Sequence, residues 1–130
     1  MPITHTIDHQ RGYMETVITG PVTWADMEEH WAAELAERGE TYPELIDGSG
    51  ATVEFGAEEV RRLVAMLQTA AQSRRLGSTA IVVNTEVGFG MARMLSILVE
   101  PFCRICAFRD RASAEEWLGA LIVPPDQPPS

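Results

Sequence analysis

Chemistry in this sequence would have to come from two cysteines, three histidines, a glycine pair ahead of an arginine, and a group of methionines. Cys103 and Cys106 are two residues apart, the spacing of zinc ribbons and of redox dithiols. A zinc ribbon needs a second such pair, and the chain has only these two cysteines. A redox pair sits at a helix N-terminus, whereas Phe102 to Phe108 reads as an apolar strand. Odd spacing on a strand sends the two thiols to opposite faces, so both are read as small packed residues. His5 and His9 share a strand face but lie ~13 Å apart at ~3.3 Å per residue, too far for one metal ion. His30 falls on a helix, where Asp26 one turn earlier can hydrogen-bond it. Gly88-x-Gly90-x-x-Arg93 opens a helix after a buried strand, the setting of phosphate loops. Arg93 stands where a dinucleotide fingerprint would place its third glycine, so the glycines are read as close helix–sheet packing. The alternative is an anion held by backbone N–H groups and Arg93.

Nucleophilic catalysis finds little footing. No Gly-x-Ser-x-Gly elbow is present, and Ser49 has no histidine nearby in sequence. An enzyme would need His5, His9 or His30 to meet Ser49, Asp47 or Glu54 in a cleft. The acidic pairs Glu28-Glu29, Glu58-Glu59 and Glu115-Glu116 all fall on helix surfaces. The sequence therefore assigns no catalytic residue, no metal and no cofactor. Met66, Met91 and Met94, with Leu95 and Leu98, are pliable apolar groups at helical spacing. They read as core, and a loosely packed third helix would turn them into a slot for an acyl chain.

These residues are positioned by alternating strands and helices. Ile3–His9 and Tyr13–Thr19 are rich in β-branched residues, and Gln10-Arg11-Gly12 between them predicts a hairpin. Gly20-Pro21 ends the second strand. Thr23 caps a helix, with Asp26 in its first turn and Trp24, Met27, Trp31 and Leu35 on one face to about Arg38. A short strand follows over Tyr42–Asp47, then a glycine-rich loop from Gly48 to Gly56. Val60, Leu63, Val64, Leu67 and Ala71 mark a second helix, and Thr79–Asn84 reads as a strand covered on both faces. Gly88 to Pro101 is the third helix and Cys103–Phe108 the fifth strand. Ser113 and Glu116 predict a capping box for a last helix through Leu121. The order β-β-α-β-α-β-α-β-α predicts an α/β fold: a five-stranded, mostly parallel mixed sheet with about four helices. Residues 1–121 read as a single domain and 122–130 as a Pro-rich flexible tail.

Composition narrows the function classes. The formal charge is −9, and all ten basic residues are Arg. Residues 1–60 hold thirteen Asp and Glu against Arg11 and Arg38, whereas residues 61–130 hold eight Arg against six acids. Such a balance argues against nucleic-acid binding, which needs a basic surface. No apolar run reaches the ~20 residues of a membrane span. Two cysteines and no leader-like start predict a reducing cytoplasm.

The stretch Leu45-Ile46-Asp47-Gly48-Ser49-Gly50-Ala51-Thr52-Val53-Glu54-Phe55-Gly56-Ala57-Glu58 resembles the STAS family, of the SpoIIAA type. There a strand ends in an acidic residue, and a loop leads to an Asp-Ser-Ser-Gly or Asp-Ser-Thr-Gly motif at the next helix start. Phe108-Arg109-Asp110, followed by Ala114-Glu115-Glu116-Trp117-Leu118, is similar to a divergent SpoIIAA-like group whose fold is shared with lipid-binding SEC14 domains. The resemblance covers roughly residues 3–121 and implies a five-stranded mixed sheet in a non-catalytic regulatory domain. One departure is decisive for regulation. Gly56 stands where the family carries its phosphorylated serine, so no hydroxyl is available there for a phosphoswitch.

The expected working surface is the end of the sheet where Asp47–Gly56 meets Asn84–Arg93, since ligands favour the carboxyl ends of strands in open α/β sheets. Ser49 and Thr52 would offer hydroxyls there, Phe55 and Phe89 apolar contacts, and Arg93 a charge, around Asp47, Gly56 and Gly90. The expected function is non-catalytic binding of a protein partner, with a small apolar or lipid-like ligand under the third helix as the alternative. A homodimer through the hairpin edge or the Trp24/Trp31 face is a further option.

Overall fold

A computed structural model describes residues 2–54 and 56–119. Its elements are β1 (Ile3–Asp8), β2 (Tyr13–Val22), α1 (Trp24–Ala36), β3 (Glu44–Val53), α2 (Ala57–Ala71), β4 (Thr79–Val82), α3 (Glu86–Val99), β5 (Ile105–Phe108) and α4 (Arg111–Gly119). The five strands form one sheet in the order β1-β2-β3-β4-β5. β1 is antiparallel to β2, and every other pairing is parallel. This is the predicted α/β architecture. No helix among the described residues is long and apolar enough to cross a membrane.

The hairpin closes as its residues dictate. Asp8 Oδ1 accepts from the N–H groups of Gln10 and Arg11, both at 3.0 Å, and Gly12 takes a φ of 65°. The sheet then separates two apolar layers. Leu45, Ala80 and Val82 pack with Ala114 and Leu118 of α4 on one side. On the other, Val60 and Leu67 of α2 and Leu95 and Val99 of α3 pack with Ile81, Ile105 and the Trp31 ring of α1. Alternation along Ala80-Ile81-Val82 feeds both layers, as a central strand must.

Several boundaries differ from the sequence expectation. β2 runs through Gly20-Pro21 to Val22, and β3 runs to Val53 instead of stopping at Asp47. The segment expected as a glycine-rich loop pairs with β2, from Thr19↔Gly50 to Val22↔Val53, after an irregularity between Val17 and Thr19. Glycine at 48 serves close approach, since a Cβ there would stand 3.1 Å from the Val82 carbonyl oxygen. α3 begins at Glu86, not Gly88, because the Thr85 hydroxyl accepts from the Gly88 N–H at 3.0 Å. α4 is capped by Asp110 instead of Ser113: its carboxylate accepts from the Ser113 N–H at 2.8 Å and hydroxyl at 3.0 Å. β5 starts at Ile105, so Cys103 precedes the strand. The Thr23 cap of α1 forms as expected, and the Asp26 side chain completes a capping box with it. α1 ends at Ala36, two residues short of Arg38, which takes a left-handed φ of 61°. Leu121 and the Pro-rich tail lie outside the described residues.

Candidate functional site

The expected surface is assembled only in part. Asp47 accepts from the Ser49 hydroxyl at 2.7 Å and its N–H at 3.1 Å, and Arg111 of α4 approaches its other oxygen at 3.5 Å. The Ser49 hydroxyl bond chiefly holds the Asp47 carboxyl below its ordinary pKa, with the Ser49 N–H and Arg111 helping. Arg111 also pairs with Glu15 and, at 2.7 Å, with Glu115. Asp47 and Ser49 thus join a polar lattice on the α4 side. Thr52 is exposed on β3 opposite Pro21.

Elsewhere on that surface the protein supplies its own partners. The Gly56 N–H donates to Glu59 Oε2 at 3.1 Å, so a side chain of α2 occupies the helix start. Phe89 is half-buried beneath Arg109, whose guanidinium carbon lies 4.1 Å from the ring centroid, while Arg109 binds Glu86 at 2.9 Å. Gly90 and Arg93 are exposed on α3. Gly88 has the packing role expected of it: it is buried, and a Cβ there would meet Thr85 Oγ1 at 2.8 Å. Phe55 lies outside the described residues.

Of the five side chains expected to form an apolar slot, Met91 and Leu95 line a cavity of about 100 Å³ between the sheet and helices α2 and α3. Ile18, Ile46 and Ile81 form its floor, with Val60 and Leu63 on a wall. No polar atom is exposed in it. Met94 packs beside the α2–α3 core instead, Met66 is half-buried, and Leu98 turns outward.

A second cavity of about 100 Å³ adjoins the first and shares Met27, Ile46, Leu63, Ile81 and Leu95 with it. Its wall is different in kind, carrying His30 and Glu34 of α1, Glu40, and Glu44 at the start of β3. His30 Nε2 lies 3.5 Å from Glu34 Oε2 and 3.6 Å from Glu44 Oε2, and all three side chains are buried. Thr16, wholly buried on β2, donates its hydroxyl to Glu44 Oε2 at 2.5 Å. Burial pushes the Glu34 carboxyl up to about 9, reinforced by the charge of Glu44, a hydrogen bond with it, and the charge of Glu40. The expected Asp26–His30 hydrogen bond does not form, because Asp26 is committed to Thr23.

The remaining candidates take ordinary partners. His5 Nε2 contacts Glu37 at 2.5 Å, and His9 Nδ1 contacts the Tyr42 hydroxyl at 2.8 Å. His5 and His9 thus bond Glu37 and Tyr42, His30 stands near Glu34 and Glu44 without bonding either, and the Ser49 hydroxyl is turned to Asp47. Cys103 and Cys106 are free, and burial raises the Cys103 thiol to about 11, which keeps it protonated.

No family model and no curated protein matches the chain. Among solved structures, it is similar to an uncharacterized protein of the DUF3478 family with a SpoIIAA-like fold from Shewanella loihica PV-4. The two share 16% identity at a TM-score of 0.61, over 89% of this chain and 93% of that one. Strand order, helix placement and this likeness agree that the chain has a SpoIIAA-like fold.

Proposed function

We propose that the protein is a non-catalytic binding domain that presents the outer face of α3 to a protein partner. The observation that carries this reading is the exposure of three aliphatic side chains on that helix. Val87, Ile97 and Leu98 are 69%, 61% and 39% exposed. Val87 and Leu98 lie about three helical turns apart on one face, with Ile97 beside Leu98. Exposed aliphatic side chains gathered on one helix mark an interaction site more often than ones scattered over a surface do. Gly56 in place of a hydroxyl-bearing residue supports control by occupancy and not by phosphorylation at that point.

The test is affinity capture from the cells that make the protein, comparing it with an Ile97→Asp/Leu98→Asp variant. Both positions are exposed, so the variant should stay folded. A specific partner should bind at least tenfold more weakly to it, since burying each aliphatic side chain contributes ~1.5–3 kcal/mol. The same proteins captured by both forms would reject the reading. Sedimentation at rising concentration separates a foreign partner from a second copy of the chain.

A second reading rests on the wholly apolar cavity under α3. Cores are normally close-packed, and a recess lined only by apolar atoms favours an apolar occupant over water. Native mass spectrometry of gently purified protein should then show an added mass that vanishes on denaturation. A bare mass would dismiss a tightly held ligand.

A further inference from the structure

His30 Nε2 is buried and has no hydrogen-bond partner, although two carboxylate oxygens stand near it. Separations of 3.5 Å to Glu34 and 3.6 Å to Glu44 are too long for good hydrogen bonds. They are close to the edge of a tetrahedron with a zinc-type ion at its centre, where bonds of ~2.1 Å put ligand atoms about 3.4 Å apart. The three donor atoms all lie within 4.8 Å of one another. The His30 and Glu34 side chains are each 8% exposed and that of Glu44 is 6%, so the three groups face one another away from bulk solvent.

We propose that His30, Glu34 and Glu44 bind a divalent transition-metal ion of the zinc class. One imidazole and two carboxylates suit such an ion better than magnesium or calcium, which take all-oxygen sets. Two carboxylates also balance its charge, which an interior site requires. The surroundings are arranged accordingly. The Thr16 hydroxyl bonds Glu44 and orients it, as outer-shell groups orient metal ligands. Three protein ligands leave a fourth position for water or a donor atom of a bound molecule, on the side of the second cavity. Glu40 Oε2, buried and without a hydrogen-bond partner, lines the same cavity and would be available to accept from a water held there. The ion would tie α1, which carries His30 and Glu34, to the first residue of β3.

The test is calorimetric titration of chelator-stripped full-length protein with zinc chloride. One ion should bind per chain. Glu34→Gln and His30→Gln should each weaken binding about 100-fold or more, beyond the 10–100-fold typical of outer-shell changes. His9→Gln and Cys103→Ser should leave it unchanged. Cobalt should give a visible spectrum without a thiolate band in the unmodified protein. Folding is monitored by circular dichroism; should His30→Gln misfold, Glu34→Gln carries the test, because it keeps the shape of the side chain. No binding to the unmodified protein, full affinity in Glu34→Gln, or loss of binding in Cys103→Ser would each overturn the assignment.

Discussion

In metal-chelating buffer, stability should fall as pH rises from about 5 to about 9, and Glu34→Gln should remove most of that fall. Glu34 is 6% exposed and its carboxyl is pushed from 4.5 to about 9, first by burial, then by the charge of Glu44 and a hydrogen bond with it. A group whose folded pKa lies above its unfolded value contributes stability that is full below the unfolded value. That stability is lost as pH climbs through the window and is gone above the folded value. Each unit of difference corresponds to about 1.4 kcal/mol, so the loss amounts to a few kcal/mol. Glutamine keeps the shape and the hydrogen-bonding capacity but cannot ionise. Urea melts of the two proteins between pH 5 and 9 provide the check. Curves that run parallel across that range would mean that Glu34 ionises as freely in the folded protein as in the unfolded chain.

The same cluster explains why a buried acid is placed here at all. α1 contributes His30 and Glu34 one turn apart, and β3 contributes Glu44 two residues before Ile46, on the same sheet face. Apolar packing alone would be served by aliphatic residues at all three positions, and burying two carboxylates beside an imidazole costs stability. The polar wall therefore marks one end of a continuous groove whose other end is wholly apolar.

Periodicity revealed most of the fold because each signal was local. Trp24, Met27, Trp31 and Leu35 repeat at helical spacing, and Thr79–Val82 is an unbroken run that two apolar layers require. What stayed hidden depended on distant partners. Gly48-Ser49-Gly50 has the composition of a loop, and only pairing with Thr19–Val22 makes it strand. The glycine at 48 answers to the Val82 carbonyl, thirty-four residues on, which no local pattern encodes. Ser113 followed by Glu116 has the local pattern of a capping box, yet β5 ends at Phe108 and the helix starts early enough for Asp110 to cap it.

The candidate site divides along the same line. Met91 and Leu95 line a cavity because they sit on the inward face of one helix. Leu98 was grouped with them by spacing, yet it lies on the edge of that face and turns outward. His30 and Glu34 are four residues apart, a spacing that puts them on one helix face and was available from the start. Glu44 was not available, because its inward orientation follows from where β3 begins. Pairing acids by sequence adjacency drew attention to Glu28-Glu29 and Glu58-Glu59 instead.

Gly77→Ala should destabilise the protein by about 3 kcal/mol or more, whereas Gly90→Ala should stabilise it by roughly 0.5–1 kcal/mol. A Cβ on Gly77 would stand 2.0 Å from the Tyr42 carbonyl oxygen and 2.3 Å from its carbon. Those atoms are backbone, so no rotamer change relieves the overlap. The two segments are joined by the Gly77 N–H to the Glu40 oxygen at 3.0 Å and the Glu44 N–H to the Ser78 oxygen at 2.9 Å. Separating them breaks both bonds, each worth ~1 kcal/mol, and disturbs the Glu44↔Thr79 start of the β3–β4 pairing. It also moves Glu44 away from His30, so the variant should lose zinc binding even where it remains folded. Gly90 differs in every respect that matters. It is exposed inside α3, a Cβ there meets nothing within 4 Å, and alanine costs less backbone entropy in a helix. Chemical denaturation of both variants measures the two signs together. A Gly77→Ala midpoint within 1 kcal/mol of the unmodified protein would show that the 40–44 and 76–78 segments are not held backbone to backbone.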